Sequence, residues 1–356
     1  MNLLSYGWNQ QVEQFANETT SQGLEVGRIL LEHKRLYRVM TKHGEVLAPV
    51  SGRFRYESLD RIDFPCVGDW VALTVQADEQ KGTIHSIMPR GSQFTRKAAG
   101  TSNDVQLVAT NVDTVFLVHA LNQDFNLRRL ERYLVMTWES GASPVIVLSK
   151  SDLCDDVEEK RNQVEAIAIS APIHVISAEF GVGLEKLYDY LKPGQTIALL
   201  GSSGVGKSTL SNKLIGKEHL AVQTIREQDG KGKHTTTHRE LVPLPQGGCI
   251  IDTPGMRELQ LWESDTGLDS TFQDIDVISK ACRFMNCSHQ NEPGCAVQVA
   301  IQEGSLTQER FASYLKLQRE LAFFERKGNK RLQSEEKSRW KKQTKRYSQY
   351  KKHKNK

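Results

Sequence analysis

The run GSSGVGKS, Gly201 to Ser208, narrows the possible folds of this chain more than any other stretch. The apolar segment TIALL precedes it and the helix-compatible segment STLSNKLIG follows it. Strand, glycine loop and helix in that order make a phosphate cradle: the glycines let backbone N–H groups converge on phosphate oxygens, and the helix start adds partial positive charge. Such a loop sits at the end of a parallel strand, so it also demands an α/β sheet around it. The expected nucleotide contacts are Gly201, Ser202, Ser203, Gly204, Val205, Gly206, Lys207, Ser208 and Thr209. Lys207 bridges the β- and γ-phosphates, as a catalytic cation, and the Ser208 hydroxyl ligates Mg²⁺.

Neighbouring motifs decide which nucleotide. DTPG, Asp252 to Gly255, closes a further strand; Asp252 holds the metal and the Gly255 N–H senses the γ-phosphate. GKGKHTTTHRE lies between the two motifs, where a switch loop belongs. One of its threonines, assigned to Thr236, completes the Mg²⁺ shell; the alternative, a loop that His234 and Thr235–Thr237 merely solvate, stays open. SKSD, Ser149 to Asp152, ends the strand PVIVL. Guanine carries two adjacent donors, and a carboxylate accepts both, so Asp152 selects guanine. The Lys150 stem packs along the base, Ser151 joins the turn, and Ser177–Ala178 offers a backbone N–H to the guanine oxygen. The order along the chain is base-reader, SA, phosphate loop, switch, DTPG. This is a circular permutation of the common GTPase order.

Upstream, GRILLEH, LYRVMTK, EVLAPVSG, DWVALTV and GTIHSIM read as five short strands. Val71, Leu73 and Val75 alternate onto one face, which fits a small antiparallel barrel. PRGSQFTRKAAGTSNDVQ reads as a linker. The buried runs VDTVFLVHAL, SPVIVLSK, APIHVISA, QTIALL and GGCIID then alternate with helical segments, one of them marked by Leu127, Leu130, Leu134 and Trp138. Beyond Leu261 the chain reads as helical and polar.

Within that region lies Cys282-x4-Cys287-x-His289-x5-Cys295. Three thiolates and one imidazole suit tetrahedral Zn²⁺, and four protein ligands leave no open position, so the site is structural. From Arg326 to Lys356, 14 Lys/Arg stand against two Glu, so the tail carries +12 and the rest of the chain −8. Trp340, Tyr347 and Tyr350 interleave with those cations, a composition suited to RNA phosphates and unpaired bases. No apolar run reaches the ~20 residues of a membrane span, and MNLLSYGWNQ is not a secretory leader, so the expected setting is the cytoplasm without membrane contact.

Together these motifs resemble the RsgA (YjeQ/EngC) family, the GTPases dependent on the small ribosomal subunit; the likeness covers roughly residues 24–325. The resemblance implies a multidomain chain: an N-terminal OB-fold β-barrel, a circularly permuted central α/β P-loop GTPase and a mostly helical C-terminal zinc-binding domain. The expected bounds are 1–23 for an extension, 24–95 for the barrel, 96–261 for the GTPase, 262–325 for the zinc domain and 326–356 for the basic tail. It further implies one structural Zn²⁺ on Cys282, Cys287, His289 and Cys295, Mg²⁺ with GTP on Ser208, Thr236 and Asp252, the 30S subunit and 16S rRNA as partners, and a monomer. Where many GTPases carry a water-orienting glutamine, this chain has Met256, and the resemblance makes His234 the catalytic substitute. One departure stands out: Ser149 occupies a position usually held by Asn, which ties the base-reader to the phosphate loop. The shorter serine is expected to weaken nucleotide affinity. Two other readings remain: a clamp that binds GTP and hydrolyses it incidentally, and an ATPase or kinase, against which SKSD argues.

Overall fold

The computed structural model describes residues 3–33, 35–58, 60–97, 105–168, 170–216, 239–252, 271–285, 287–289 and 292–328. Two compact units divide the chain, Met1–Gln260 and Leu261–Lys356.

The five sequence-read strands of the first unit form a closed barrel. They are β1 (Glu25–His33), β2 (Leu36–Thr41), β3 (Gly44–Pro49), β4 (Trp70–Gln76) and β5 (Lys81–Ile87). Antiparallel pairing runs β1–β2–β3 and β5–β4–β1, and a parallel contact at Leu47 and Lys81 joins β3 to β5. Ile29, Tyr37, Val39, Val46, Val71, Leu73 and Ile84 fill the interior, each buried side chain of this size contributing about 1.5–3 kcal/mol. Val71 and Leu73 are buried and Val75 packs partly against them, as the alternation implies.

Trp70 and Ala72, on the opposite face of β4, are buried as well. Helix α1 (Gln10–Thr20) explains this. The Asn9 side chain caps it, accepting from the Val12 N–H at 3.1 Å. Val12 packs beside Trp70, and Trp8 meets the Trp70 ring edge-on at 5.6 Å. The polar N-terminal stretch is thus a cover for the barrel's outer wall. A short helix α2 (Gly52–Glu57) leaves β3, capped by the Ser51 hydroxyl.

The stretch read as a linker instead contains β6 (Gln93–Lys97) and the start of β7 (Val105–Thr110), which pair antiparallel. Next comes the nucleotide-type sheet, built from β8 (Thr114–Ala120), α3 (Leu127–Glu139), β9 (Ser143–Ser149), α4 (Val157–Glu165), β10 (Ile173–Val175), β11 (Thr196–Leu200), α5 (Lys207–Ile215), β12 (Glu240–Pro243) and β13 (Cys249–Asp252). The strand order is β10-β9-β8-β11-β13-β12. All these pairings are parallel except β12 with β13. β8 and β11 are buried along their whole length because neighbours cover both faces.

Sequence reading did not find β12, the antiparallel edge. It joins the two sheets: Glu240 pairs with Leu31 of β1, and Arg38 of β2 reaches Glu240 at 3.1 Å while forking onto Glu45. The buried Arg28 ties the same junction. Its guanidinium donates to the carbonyls of Gly68, Tyr6 and Asn111 at 3.0, 2.9 and 3.1 Å, spending its donors on the barrel, the N-terminal segment and the start of the second sheet.

The second unit is helical in its described residues: α6 (Gln273–Ser279), α7 (Ala296–Gln302) and α8 (Gln308–Gly328). Arg310 of α8 is buried and clamps α6 through Asp274 at 3.0 and 3.1 Å, with its guanidinium 4.3 Å from the Phe272 ring centroid.

Candidate functional site

The phosphate loop leaves β11 between β8 and β13, so its mouth opens at the carboxyl ends of parallel strands, where ligands of such sheets bind. Two glycines are required for different reasons. A Cβ at Gly201 would run into the Val118 carbonyl oxygen of β8. Gly206 has open space but a φ of +96°, a left-handed conformation that L side chains rarely adopt, and from it α5 starts. Lys207 folds back over the loop, its Nζ donating to the carbonyls of Gly201 at 2.7 Å and Ser202 at 2.5 Å. The ammonium therefore lies over the cradle. Ser203 and Ser208 are exposed at the mouth.

Ser149 ends β9 and is buried. Its hydroxyl donates to the Val205 carbonyl of the phosphate loop at 2.7 Å, with the His119 carbonyl at 3.4 Å. The shorter side chain does reach the loop, so a tether between the end of β9 and the phosphate loop is present. Close approach of the loop to the end of β9 makes the span short enough for one hydroxyl.

Lys150 then takes a left-handed turn, φ +60°, that turns the chain into a short helical segment, Ser151–Leu153. Asp152 stands exposed, and the Ser177 hydroxyl donates to its Oδ1 at 2.5 Å. Ser177 is itself fixed, exchanging both backbone hydrogen bonds with Val182 at 3.0 Å. The Asp152 carboxylate is thus aimed by Ser177 of the SA motif, a contact the sequence did not suggest. Ala178 is buried beside it.

Asp252 is the last residue of β13, its backbone in register with Glu240. Gly255, Met256, His234 and Thr236 lie outside the described residues. So does the tail from 329 onward.

Two neighbours of the loop escaped the sequence reading. His119 on β8 is buried, and its Nε2 accepts the Asn126 N–H at 2.8 Å. Nδ1 therefore carries the ring proton, and it has no partner among the described residues. Burial, helped by the charge of Arg129, pushes the imidazole down to about 4 and keeps it neutral. Asn126 caps α3, accepting from the Arg129 N–H at 3.0 Å, and Arg129 reaches the loop at Ser202.

In the second unit Cys282, Cys287, His289 and Cys295 converge, their ligand atoms all within 4.8 Å of one another. A tetrahedral Zn²⁺ with bonds of about 2.3 Å to sulfur and about 2.0 Å to nitrogen sets S···S edges near ~3.8 Å and S···N edges near ~3.5 Å. Cys282 and Cys295 stand 3.9 Å apart, and His289 Nδ1 lies 3.5 Å from each sulfur. The residues fit the ion. Around them, the Gln298 side chain donates to the His289 carbonyl at 2.6 Å and the Arg283 N–H to Gly294 at 3.1 Å, fixing the ligand loops as outer-shell bonds do.

A parallel sheet carrying a phosphate loop downstream of its base-reading strand defines a circularly permuted P-loop GTPase. The family described as RsgA GTPase matches residues 87–262, and a family described as ABC transporter matches residues 184–348, a span that contains the same phosphate loop. Small ribosomal subunit biogenesis GTPase RsgA 2 of Lactiplantibacillus plantarum is 48% identical over 323 residues, 91% of this chain and 90% of that protein. Small ribosomal subunit biogenesis GTPase RsgA of Opitutus terrae is 44% identical over 351 residues, 96% of each. Among solved structures, YjeQ from Thermotoga maritima aligns with a TM-score of 0.64 and 28% identity over 84% of this chain and 99% of that one. YloQ, described as a circularly permuted GTPase, aligns at 0.62 and 26%, over 84% and 95%. The chain belongs to the RsgA GTPase family.

Proposed function

We propose that this chain hydrolyses GTP to GDP and phosphate while bound to the small ribosomal subunit, acting as a monomer in the cytoplasm at a late stage of that particle's maturation. The reading rests on one observation above all: Asp152, aimed by the Ser177 hydroxyl, and the phosphate loop, bonded by Ser149, are held together at the carboxyl ends of β9 and β11, the two parallel strands that flank β8. A base and a phosphate chain placed along that edge meet a guanine-selective carboxylate at one end and Lys207 at the other. The relatives named small ribosomal subunit biogenesis GTPases supply the partner.

In this reading Ser149 to Asp152 with Ser177 and Ala178 hold the base. Gly201 to Thr209 wrap the phosphates with backbone N–H groups. Lys207 leaves the Gly201 and Ser202 carbonyls to meet the β- and γ-phosphates, and Gly255 senses the latter. Ser208, Thr236 and Asp252 hold Mg²⁺, which when bound neutralises charge on the phosphate oxygens. The apolar Met256 cannot orient water, so turnover by the free protein is slow, and His234 takes that part in the complex with the subunit. One Zn²⁺ on Cys282, Cys287, His289 and Cys295 braces the second unit. The barrel, whose α2 exposes Arg55 and Tyr56, and the basic tail contact 16S rRNA. Among the described residues no helix is long and apolar enough to cross a membrane.

The test is GTP hydrolysis with and without purified small subunits, with ATP as the control. Strong stimulation for GTP alone supports the proposal. Unchanged turnover on adding subunits removes the partner, and equal turnover of ATP removes the base assignment.

A further inference from the structure

Three side chains meet on the first turn of the phosphate loop. Arg129, on the first turn of α3, places Nη1 2.8 Å from Asp124 Oδ2 and 2.9 Å from Ser202 Oγ. Ser202 Oγ in turn donates to Asp124 Oδ2 at 2.6 Å. The triangle closes: cation, carboxylate and hydroxyl each touch the other two. Its base is held from below, because the Asn126 cap is pinned to the buried His119 ring and the Asp124 N–H donates to the Asn122 side chain at 3.0 Å. Its apex is Ser202, whose carbonyl accepts from Lys207 Nζ. The hydrogen bonds to Ser202 and Arg129 hold the Asp124 carboxyl below its ordinary value against the opposing effect of desolvation, so it is ionised at neutral pH.

A carboxylate beside a triphosphate site repels the ligand unless it is neutralised. Arg129 supplies that neutralisation and fixes the hydroxyl in one contact. We propose that Arg129 is a positioning residue for GTP: with Asp124 it locks Ser202 and thereby the phosphate loop, and it cancels a negative charge that would otherwise face the γ-phosphate. The contact is one that the loop motif itself does not contain, since Arg129 lies 73 residues upstream of Ser202 in sequence. The inference rests on the nucleotide reading of the phosphate loop.

Its test is a set of dissociation constants for fluorescent GTP and GDP analogues, with melting temperatures measured alongside, on the full chain. Arg129→Ala leaves Asp124 unpaired near the phosphates and is expected to weaken GTP by about ten-fold, more than GDP, because the triphosphate carries more charge. Arg129→Lys keeps most of the affinity. Arg129→Ala with Asp124→Asn recovers much of the loss, which a purely structural role for Arg129 would not produce. Lys207→Ala is the control for the nucleotide reading. If Lys207→Ala loses GTP while Arg129→Ala binds like wild type, or binds equally poorly with and without Asp124→Asn, the charge-cancelling role is wrong. If Lys207→Ala also binds normally, the nucleotide site itself has been misassigned.

Discussion

The nucleotide site and the Cys/His cluster solve the same problem, fixing polar groups in a set geometry, by opposite means. In the first, backbone does the fixing. β8 and β11 are buried along their length, as is β9 beyond Ser143, and the candidate ligand groups ride on the turns that leave β9 and β11. Lys207, Ser149 and Asp152 each bond to a neighbouring part of the site itself. In the second, four side chains converge from loops and a helix start, Cys295 alone being buried among the four. Thiolates packed this closely repel each other unless a cation sits between them. The difference leads us to expect a phosphate-loop site formed before its ligand arrives and a cluster that a metal ion would order.

The largest effect that would break this contrast comes from the metal. Stripping it with a chelator, or Cys282→Ser with Cys295→Ser, is expected to unfold the loops around the cluster, since a structural Zn²⁺ contributes about 10 kcal/mol or more to a small metal-dependent unit. Limited proteolysis should then cut near residues 280–295 while the first unit stays resistant. Equal resistance with and without metal would mean that packing, not the ion, holds the cluster.

Lys207→Ala comes next. It removes a charged donor from the phosphates and is expected to cost nucleotide affinity about a hundred-fold with a smaller change in melting temperature, because its ammonium bonds carbonyls of the loop itself, those of Gly201 and Ser202. Titration calorimetry measures the first and differential scanning the second.

A smaller effect sharpens the picture of the preformed site. The buried His119 titrates at about 4 in the folded chain, below the ordinary ~6.5 of the unfolded one. Its depressed value makes the fold most stable where the ring is neutral in both states, above about pH 6.5, and stability is lost as pH falls toward about 4, because the unfolded chain binds the proton first. Denaturant unfolding of wild type should therefore lose about 2 kcal/mol more than His119→Gln between about pH 7 and about pH 5. Parallel pH profiles for the two proteins would remove His119 from the account.

Ser149→Ala is the mildest. It deletes the hydroxyl that bonds Val205 and leaves that buried carbonyl unsatisfied, a cost of about 1–3 kcal/mol that should appear in both stability and GTP affinity. An unchanged dissociation constant would show that the tether between base-reader and phosphate loop is idle.

Much of this was legible in the sequence because the informative patterns are local. Gly201 to Ser208, the five barrel strands, the alternation of buried strand and helix, and the Cys/His spacing each lie within a few dozen residues. What stayed hidden depends on pairs distant in sequence. β12 is four residues long and ends in Pro243, so its pattern is weak, and only pairing with β13 and β1 makes it a strand. The hairpin of β6 and β7 hid within a polar stretch whose centre looks like linker. Trp70 read as one more apolar residue of a strand until α1 covered it. Ser149 looked too short because reach was judged from side-chain length, whereas the backbone of the phosphate loop comes to meet it. Arg129 and Asp124 carry no motif at all; their meaning lies in touching Ser202.

The most direct test of the central claim is nucleotide choice at Asp152. Dissociation constants for GTP, inosine triphosphate and ATP should be measured on wild type and Asp152→Asn. Inosine lacks the 2-amino donor, so a carboxylate that accepts both guanine donors should prefer GTP over the inosine nucleotide by at least about ten-fold, and over ATP by more. Asp152→Asn should erase most of that preference. A wild-type protein that binds the three alike, or a mutant that keeps its preference for GTP, would contradict the reading of this edge of the sheet as a guanine site.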